Sequence, residues 1–263
     1  MDLGVKGKVA LVAAASRGLG FAVAMRLAQE GALVAMCSRG KEAIESAGRE
    51  LRAATGTEVY AAACDVTREE EVEAFVAEVA RRFGRLDILV TNAGGPPPLL
   101  FEQTSVADWQ KAVTLNLIST VALCKACVPH MKRVGAGRIV NITSIAAKQP
   151  VENLILSNSA RAGVLGFSKT LSIELAPYNI LVNSVAPGYT RTQRVIDLAK
   201  ARVERDGVSE EQAYDHWTRQ IPLGRLGEPE EFADVVAFLC SERASYVTGT
   251  VLQIDGGYIQ SIV

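Results

Sequence analysis

Gly18 and Gly20 stand where a short apolar run, residues 8–13 with Val9, Leu11 and Val12, gives way to the helical pattern FAVAMRLAQEG. Glycines at such a junction let backbone come close to a pyrophosphate, whose charge meets free amide hydrogens and the positive end of the next helix. About twenty residues on, a second apolar run ends at Ser38 and Arg39, where an acid would bind a ribose 2′-hydroxyl and a base would accept a 2′-phosphate. No acid is there. Arg39, with Arg17 in the turn, points to NADP(H) as the preferred cofactor, with NAD(H) as the alternative. Further along, SIAAKQPVENLILSNSAR, residues 144–161, brings hydroxyls and a fixed positive charge into one stretch directly before AGVLGF.

The elements that must carry these groups alternate. After the first strand, turn and helix, ALVAMCSRG reads as a second buried strand and KEAIESAGRELRAATG as a helix. VYAAACDVT follows as a third strand, and REEEVEAFVAEVARRFG as an amphipathic helix with an acidic first turn that suits its dipole. RLDILVTNAGG, GRIVNITSIAA, ILVNSVAPG and TVLQIDGG supply four more strands. Continuously apolar strands alternating with helices predict a Rossmann-type, doubly wound α/β fold, a parallel sheet of about seven strands covered on both faces. One domain over residues 1–263 is expected. Residues 190–227 break the alternation as a charged, helical insertion after the sixth strand. Ligands in such sheets bind beyond the carboxyl ends of the strands, so this segment is expected to be a mobile lid over the substrate crevice.

The formal charge is −1, from 28 basic and 29 acidic residues, which gives no electrostatic ground for nucleic acid or an anionic membrane as the main partner. With 49% hydrophobic and 22% charged residues, the chain reads as an ordinary globular protein. The N-terminal pattern predicts no cleaved signal, and no run of about 18 uncharged apolar residues appears. The five cysteines are scattered and odd in number, which fits reduced thiols and a cytoplasmic setting. Cys124 and Cys127 share a helical face and are expected to be buried rather than to bind metal. His130 and His216 lie near no acidic or cysteine cluster, so surface or capping roles are expected, and no metal site is predicted.

Several motifs in order resemble the short-chain dehydrogenase/reductases, and within them the 3-oxoacyl-[acyl-carrier-protein] reductase group; the resemblance covers nearly the whole chain. AAASRGLG resembles the family's glycine turn, with Ser16, Arg17, Gly18, Leu19 and Gly20 matched, and with Ala13 and Ala14 where Thr and the first Gly usually stand. Ala14 there adds a Cβ where the turn can demand unusual dihedrals. Asp65 and Val66 match the pair that holds the adenine. Asn92, Ala93 and Gly94, followed by Gly95, match the motif on the adenosine side, and Pro187, Gly188 and Thr190 match the nicotinamide cradle. IDGGY is similar to the family's ending.

The resemblance also implies a catalytic set. Asn116 matches an Asn that supports a water relay, and Ser144 a Ser that polarises the carbonyl. The spacing from Ser144, with AGV following, puts Ser157 at the family's Tyr and Arg161 at its Lys, which otherwise lowers the Tyr pKa and holds the nicotinamide ribose. An aliphatic hydroxyl is a far weaker acid than a phenol, which titrates near 10. Loss of a positioned acid costs about 10²- to 10⁴-fold in rate. Lys148 and Tyr189 are nearby substitutes, but solvation is expected for Lys148 and packing against the nicotinamide ring for Tyr189. The implied reading is an NADP(H)-dependent carbonyl or alcohol oxidoreductase on a small-molecule substrate, such as a 3-oxoacyl thioester, assembled as a homotetramer. Its competitors are a nucleotide-binding protein without turnover and an enzyme whose substrate handles its own proton.

Overall fold

The computed structural model describes residues 2–262. The chain runs β1 (Val9–Val12), α1 (Gly18–Gln29), β2 (Leu33–Ser38), α2 (Lys41–Thr55), β3 (Val59–Ala63), α3 (Glu69–Phe83) and β4 (Ile88–Thr91). It continues through α4 (Val106–Val113), a π-helical turn (Thr114–Ile118), α5 (Ser119–Val134), β5 (Gly137–Ile142), α6 (Ile155–Leu175) and β6 (Ile180–Pro187). The last elements are α7 (Gln193–Asp206), α8 (Glu210–Thr218), α9 (Pro229–Cys240) and β7 (Val251–Ile254). All strand pairs are parallel, in the order β3-β2-β1-β4-β5-β6-β7. The order reverses between β1 and β4, and the crevice that ligands use in such sheets opens at the carboxyl ends of those strands.

Successive strand residues point to opposite faces, and both faces are covered. Ala10 and Val12 pack with Val34, Met36 and Val90 beneath α1, α2 and α9. Val9 and Leu11 pack with Ala35, Leu89 and Ile139 beneath α3 and α5. In α1 the deepest residues are Val23, Ala24, Leu27 and Ala28. Phe21 and Met25, which share the predicted apolar stripe with Ala28, lie at its partly buried edge.

The continuous helical run Val106–Val134 is long and apolar enough to cross a membrane by length and composition alone. Leu123, Cys124, Cys127 and Met131 turn one face of it onto the sheet. Both sulfurs of the C-x-x-C pair are thus buried, and burial pushes the Cys124 thiol up to about 12. The insertion at residues 190–227 is mostly α7 and α8. Val195, Ala199, Ala213, Trp217, Ile221 and Leu226 close a small core of its own with Ile145 and Tyr258.

Candidate active site

The turn after β1 is pinned from both sides. Ala13 N donates to Val90 O and Ala15 N to Cys37 O, each at 3.0 Å, so the neighbouring strands dictate its path. Between them Ala14 takes φ +48°, a left-handed conformation that burdens any residue with a Cβ. Its carbonyl accepts from Asn92 Nδ2 at 3.3 Å. A Cβ on Gly20 would lie 2.6 Å from that carbonyl oxygen and 2.9 Å from Asn92 Nδ2, so only glycine fits there. Arg17 starts α1 without a side-chain cap, which leaves the first amides for an anion. Ser16 and Leu19 flank this turn half-buried.

Arg17 and Arg39 are both exposed, and neither makes an ion pair with a described residue. Ser38 Oγ donates to Gly40 O at 3.4 Å. Asp65 Oδ1 accepts from Thr67 N and Thr67 Oγ1, at 3.0 and 2.8 Å, which fixes the carboxylate beside buried Val66. A rigid carboxylate next to an apolar wall suits an adenine.

Beyond β4 and β5 the remaining groups meet. The π-helical turn aims Asn116 inward: it is 3% exposed, its Nδ2 donates to Gly94 O at 2.8 Å, and its Oδ1 is buried with no partner. Ser144 follows β5 and its Oγ accepts from Ala146 N at 3.1 Å, opening the tight turn Ile145–Ala147 against which α6 packs. Ser157 lies in the first turns of α6, 5% exposed, with no side-chain hydrogen bond to a described residue. Arg161, four positions on, shares its face. It is 8% exposed, and its Nη1 donates to Thr143 O at 2.8 Å and Ile142 O at 3.4 Å. Its Nη2 donates to Ala93 O at 3.4 Å and Gly94 O at 3.5 Å. Burial, then the nearby Arg194 charge, bring this guanidinium down to about 10. Arg161 therefore ties the carboxyl end of β5 to the loop after β4, a stapling duty that its motif position did not suggest.

Beyond β6, Gly188 N donates to Ile254 O at 2.9 Å, and a Cβ on Gly188 would stand 2.7 Å from the Asp255 Cα. The Pro187–Gly188 pair is thus packed directly on the IDGG turn. Thr190 is buried, its hydroxyl donates back to Gly188 O at 3.5 Å, and its backbone pairs with Gly227. Thr192 is the threonine that faces the glycine turn, its side chain 3.7 Å from where a Gly18 Cβ would be.

Tyr189 stacks on Trp217 with ring centroids 4.7 Å apart and meets Tyr258 edge-on at 5.5 Å. Burial first, then Tyr258, raise its phenol above the ordinary range, so it keeps its proton. It borders a cavity of about 250 Å³ between the 150–154 loop and helices α7 and α8, lined also by Val151, Leu198, Arg202, His216 and Trp217. His216 lines this cavity. Lys148 is half-buried rather than fully solvated. No group of His, Cys, Asp and Glu able to hold a metal occurs among the described residues.

A parallel sheet with its glycine turn at the switch point, and Asn, Ser and a basic residue at the ends of neighbouring elements, define a dinucleotide-binding oxidoreductase class. The family model described as enoyl-(acyl carrier protein) reductase matches residues 13–259, and the chain belongs to this short-chain dehydrogenase/reductase family. It is 35% identical over 257 residues, 98% of this chain and 99% of the relative, to the 3-oxoacyl-[acyl-carrier-protein] reductase FabG of Aquifex aeolicus. Among solved structures it resembles L-sorbose reductase from Gluconobacter frateurii complexed with NADPH and L-sorbose, with TM-score 0.95, 35% identity and full coverage of both chains. It also resembles actinorhodin polyketide ketoreductase with NADPH, with TM-score 0.92 and 37% identity over 95% of this chain and 97% of that one.

Proposed function

We propose that this protein is an NADP(H)-dependent oxidoreductase acting on a carbonyl or alcohol in a small-molecule substrate, with an altered proton-transfer site. The observation that carries it is the convergence of Ser144, Asn116 and Arg161 on the ends of β4 and β5, beside a glycine turn shaped for a diphosphate. The bound dinucleotide would supply or accept the hydride. Ser16, Gly18, Leu19, Gly20 and Thr192 would face its diphosphate, Arg17 and Arg39 a 2′-phosphate, Asp65 and Val66 the adenine, and Asn92, Ala93 and Gly94 the adjoining ribose. Ser144, half-buried with its hydroxyl hydrogen free to turn outward, would donate to the carbonyl oxygen and stabilise charge developing there. NADPH bound in two structural relatives supports NADP(H) over NAD(H), as does the unpaired Arg39.

Ser157 and Arg161 stand, on this reading, at the positions of the family's Tyr and Lys. Ser157 is a weak proton donor, and Arg161 keeps its protons while holding main-chain carbonyls. Turnover is then slow unless the substrate handles its own proton. The second reading, a nucleotide-binding protein without turnover, draws its support from Arg161, whose Nη groups are committed to the backbone. A turnover screen of purified protein with NADPH against 3-oxoacyl thioesters, ketoses and small ketones separates the two. NADPH oxidation with any of them supports the enzyme, and tight NADPH binding with none reduced supports the binding protein. Five buried free cysteines are consistent with a reducing, cytoplasmic setting, and exposed apolar helix faces support a homotetramer.

A further inference from the structure

The cavity of about 250 Å³ beside Tyr189 carries a guanidinium that the protein leaves unsatisfied. Arg202, in α7, lines it, and the Arg202 Nε is buried without a hydrogen-bond partner. Its ion pair is with Asp206, Nε to Oδ2 at 3.5 Å. That carboxylate is already taken by Arg205, whose Nε and Nη2 donate to its two oxygens at 2.6 and 2.8 Å. Two guanidiniums thus share one carboxylate, and this end of the cavity keeps an uncompensated positive charge. Glu152 also lines the cavity, but it is exposed and makes no ion pair with a described residue, so water screens it more than it screens Arg202. His216 adds no charge. Burial first, then Arg202, hold its imidazole below the ordinary range, and its Nε2 accepts from Gln220 Nε2 at 2.8 Å. Trp217, Tyr189 and Tyr258 wall the cavity with aromatic rings. In such a setting an unfilled guanidinium fork favours a planar carboxylate held by two parallel hydrogen bonds.

The cavity adjoins the reacting groups. Ile145, next to Ser144, packs in the same small core as Tyr189, Leu198 and Trp217. Leu154, which lines the cavity, is the residue from which α6 starts, one turn before Ser157. The volume lies below the roughly 300–1,000 Å³ of pockets that take drug-sized ligands, so a short substrate suits it better than a long acyl chain. We propose that Arg202 reads the carboxylate of a small oxo acid, or of the matching hydroxy acid, whose carbonyl or alcohol carbon faces Ser144. This rests on the oxidoreductase reading above and names its substrate class. Reduction of such an acid takes a hydride at the carbonyl carbon and a proton at its oxygen, with NADPH becoming NADP⁺, and leaves the carboxylate unchanged.

Calorimetric titration of the intact, NADPH-saturated protein tests this with levulinate, a small oxo acid, and with its methyl ester, which keeps the ketone and loses the charge. The variants are Arg202→Met, which removes the guanidinium, and Arg202→Lys, which keeps a positive charge without the fork. A hydrogen bond to a charged group corresponds to roughly tenfold to hundredfold in affinity. The parent is expected to prefer levulinate over the ester by that factor. Arg202→Met should lose the preference while binding NADPH and the ester as before, and Arg202→Lys should recover part of it. Equal binding of acid and ester by the parent, binding of neither, or a preference that survives in Arg202→Met overturns the proposal. A parent that binds no NADPH sinks the oxidoreductase reading instead, and the same two ligands titrated into the free protein still decide for or against Arg202. Should Arg202→Met lose NADPH as well, its fold is damaged, and Arg202→Lys decides: acid preferred over ester supports the proposal, and equal binding overturns it.

Discussion

A guanidinium at position 161 can hold more carbonyls than an ammonium, because its donors fan out from two terminal nitrogens while lysine's share one. Arg161→Lys alone therefore strands some of the carbonyls of Ala93, Gly94, Ile142 and Thr143 and is expected to cost about 1–3 kcal/mol of stability, read as a lower denaturation midpoint. Adding Ser157→Tyr supplies the phenol that the lysine would tune. Turnover on a ketone substrate should then rise by up to about 10²- to 10⁴-fold, with neither single change doing as well. A double variant that binds NADPH normally and still reduces no ketone would count against the reductase reading. Arg39→Ala should narrow the preference for NADPH over NADH by about tenfold or more, since exposed, unpaired Arg39 is free to meet a 2′-phosphate. NADH binding as tightly as NADPH in the parent protein would remove that role. Ala14→Gly should relieve the left-handed strain at φ +48°. The net gain is about 0.5–1 kcal/mol after the unfolded-state entropy of glycine is counted, visible as a small rise in Tm.

Single elements carry several of these groups at once, which couples them. α6 sets Ser157 and Arg161 on one face, so a shift that moves one moves both. The π-helical turn between α4 and α5 aims Asn116 at Gly94 and leaves its Oδ1 ready for a donor. Helices α7 and α8 close a satellite core with Tyr189, which stacks on Trp217 of α8, separate from the sheet's two faces. Small cores open locally at lower free energy than central strands. Amides of α7 and α8 are therefore expected to exchange hydrogen faster than those of β5 and β6, and to slow when NADPH is added. Core-like protection of both helices with and without NADPH would show that the segment is not a lid.

At the scale of the molecule, the described surface leaves apolar side chains where the sheet does not need them. Val106, Ile118 and Ile173 are exposed along α4 to α6, and Phe238, Tyr246 and Leu252 around α9 and β7. Exposed apolar side chains on these two sets of elements suit two kinds of isologous contact, the arrangement a dihedral tetramer requires. Light scattering is expected to give four times the chain mass, and Ile173→Glu to shift it to a smaller species. A monomer at micromolar concentration would leave these faces without that explanation.

The sheet, the alternation of helices and the glycine turn were legible in the sequence because they follow from local periods and from glycine spacing that recurs wherever a backbone must approach a diphosphate. The identities of Ser157 and Arg161, one helical turn apart, were legible too. Donor destinations were not. Arg161 spends its Nη hydrogens on carbonyls 18 to 68 positions away, Arg194 reaches back 98 residues to Pro96, and Tyr189 turns to Trp217. Thr192 faces Gly18. A one-dimensional pattern records which groups are present and which face of an element they share. Where a long side chain ends depends on atoms brought near only when the β4, β5 and β6 loops converge, and that convergence belongs to the tertiary structure.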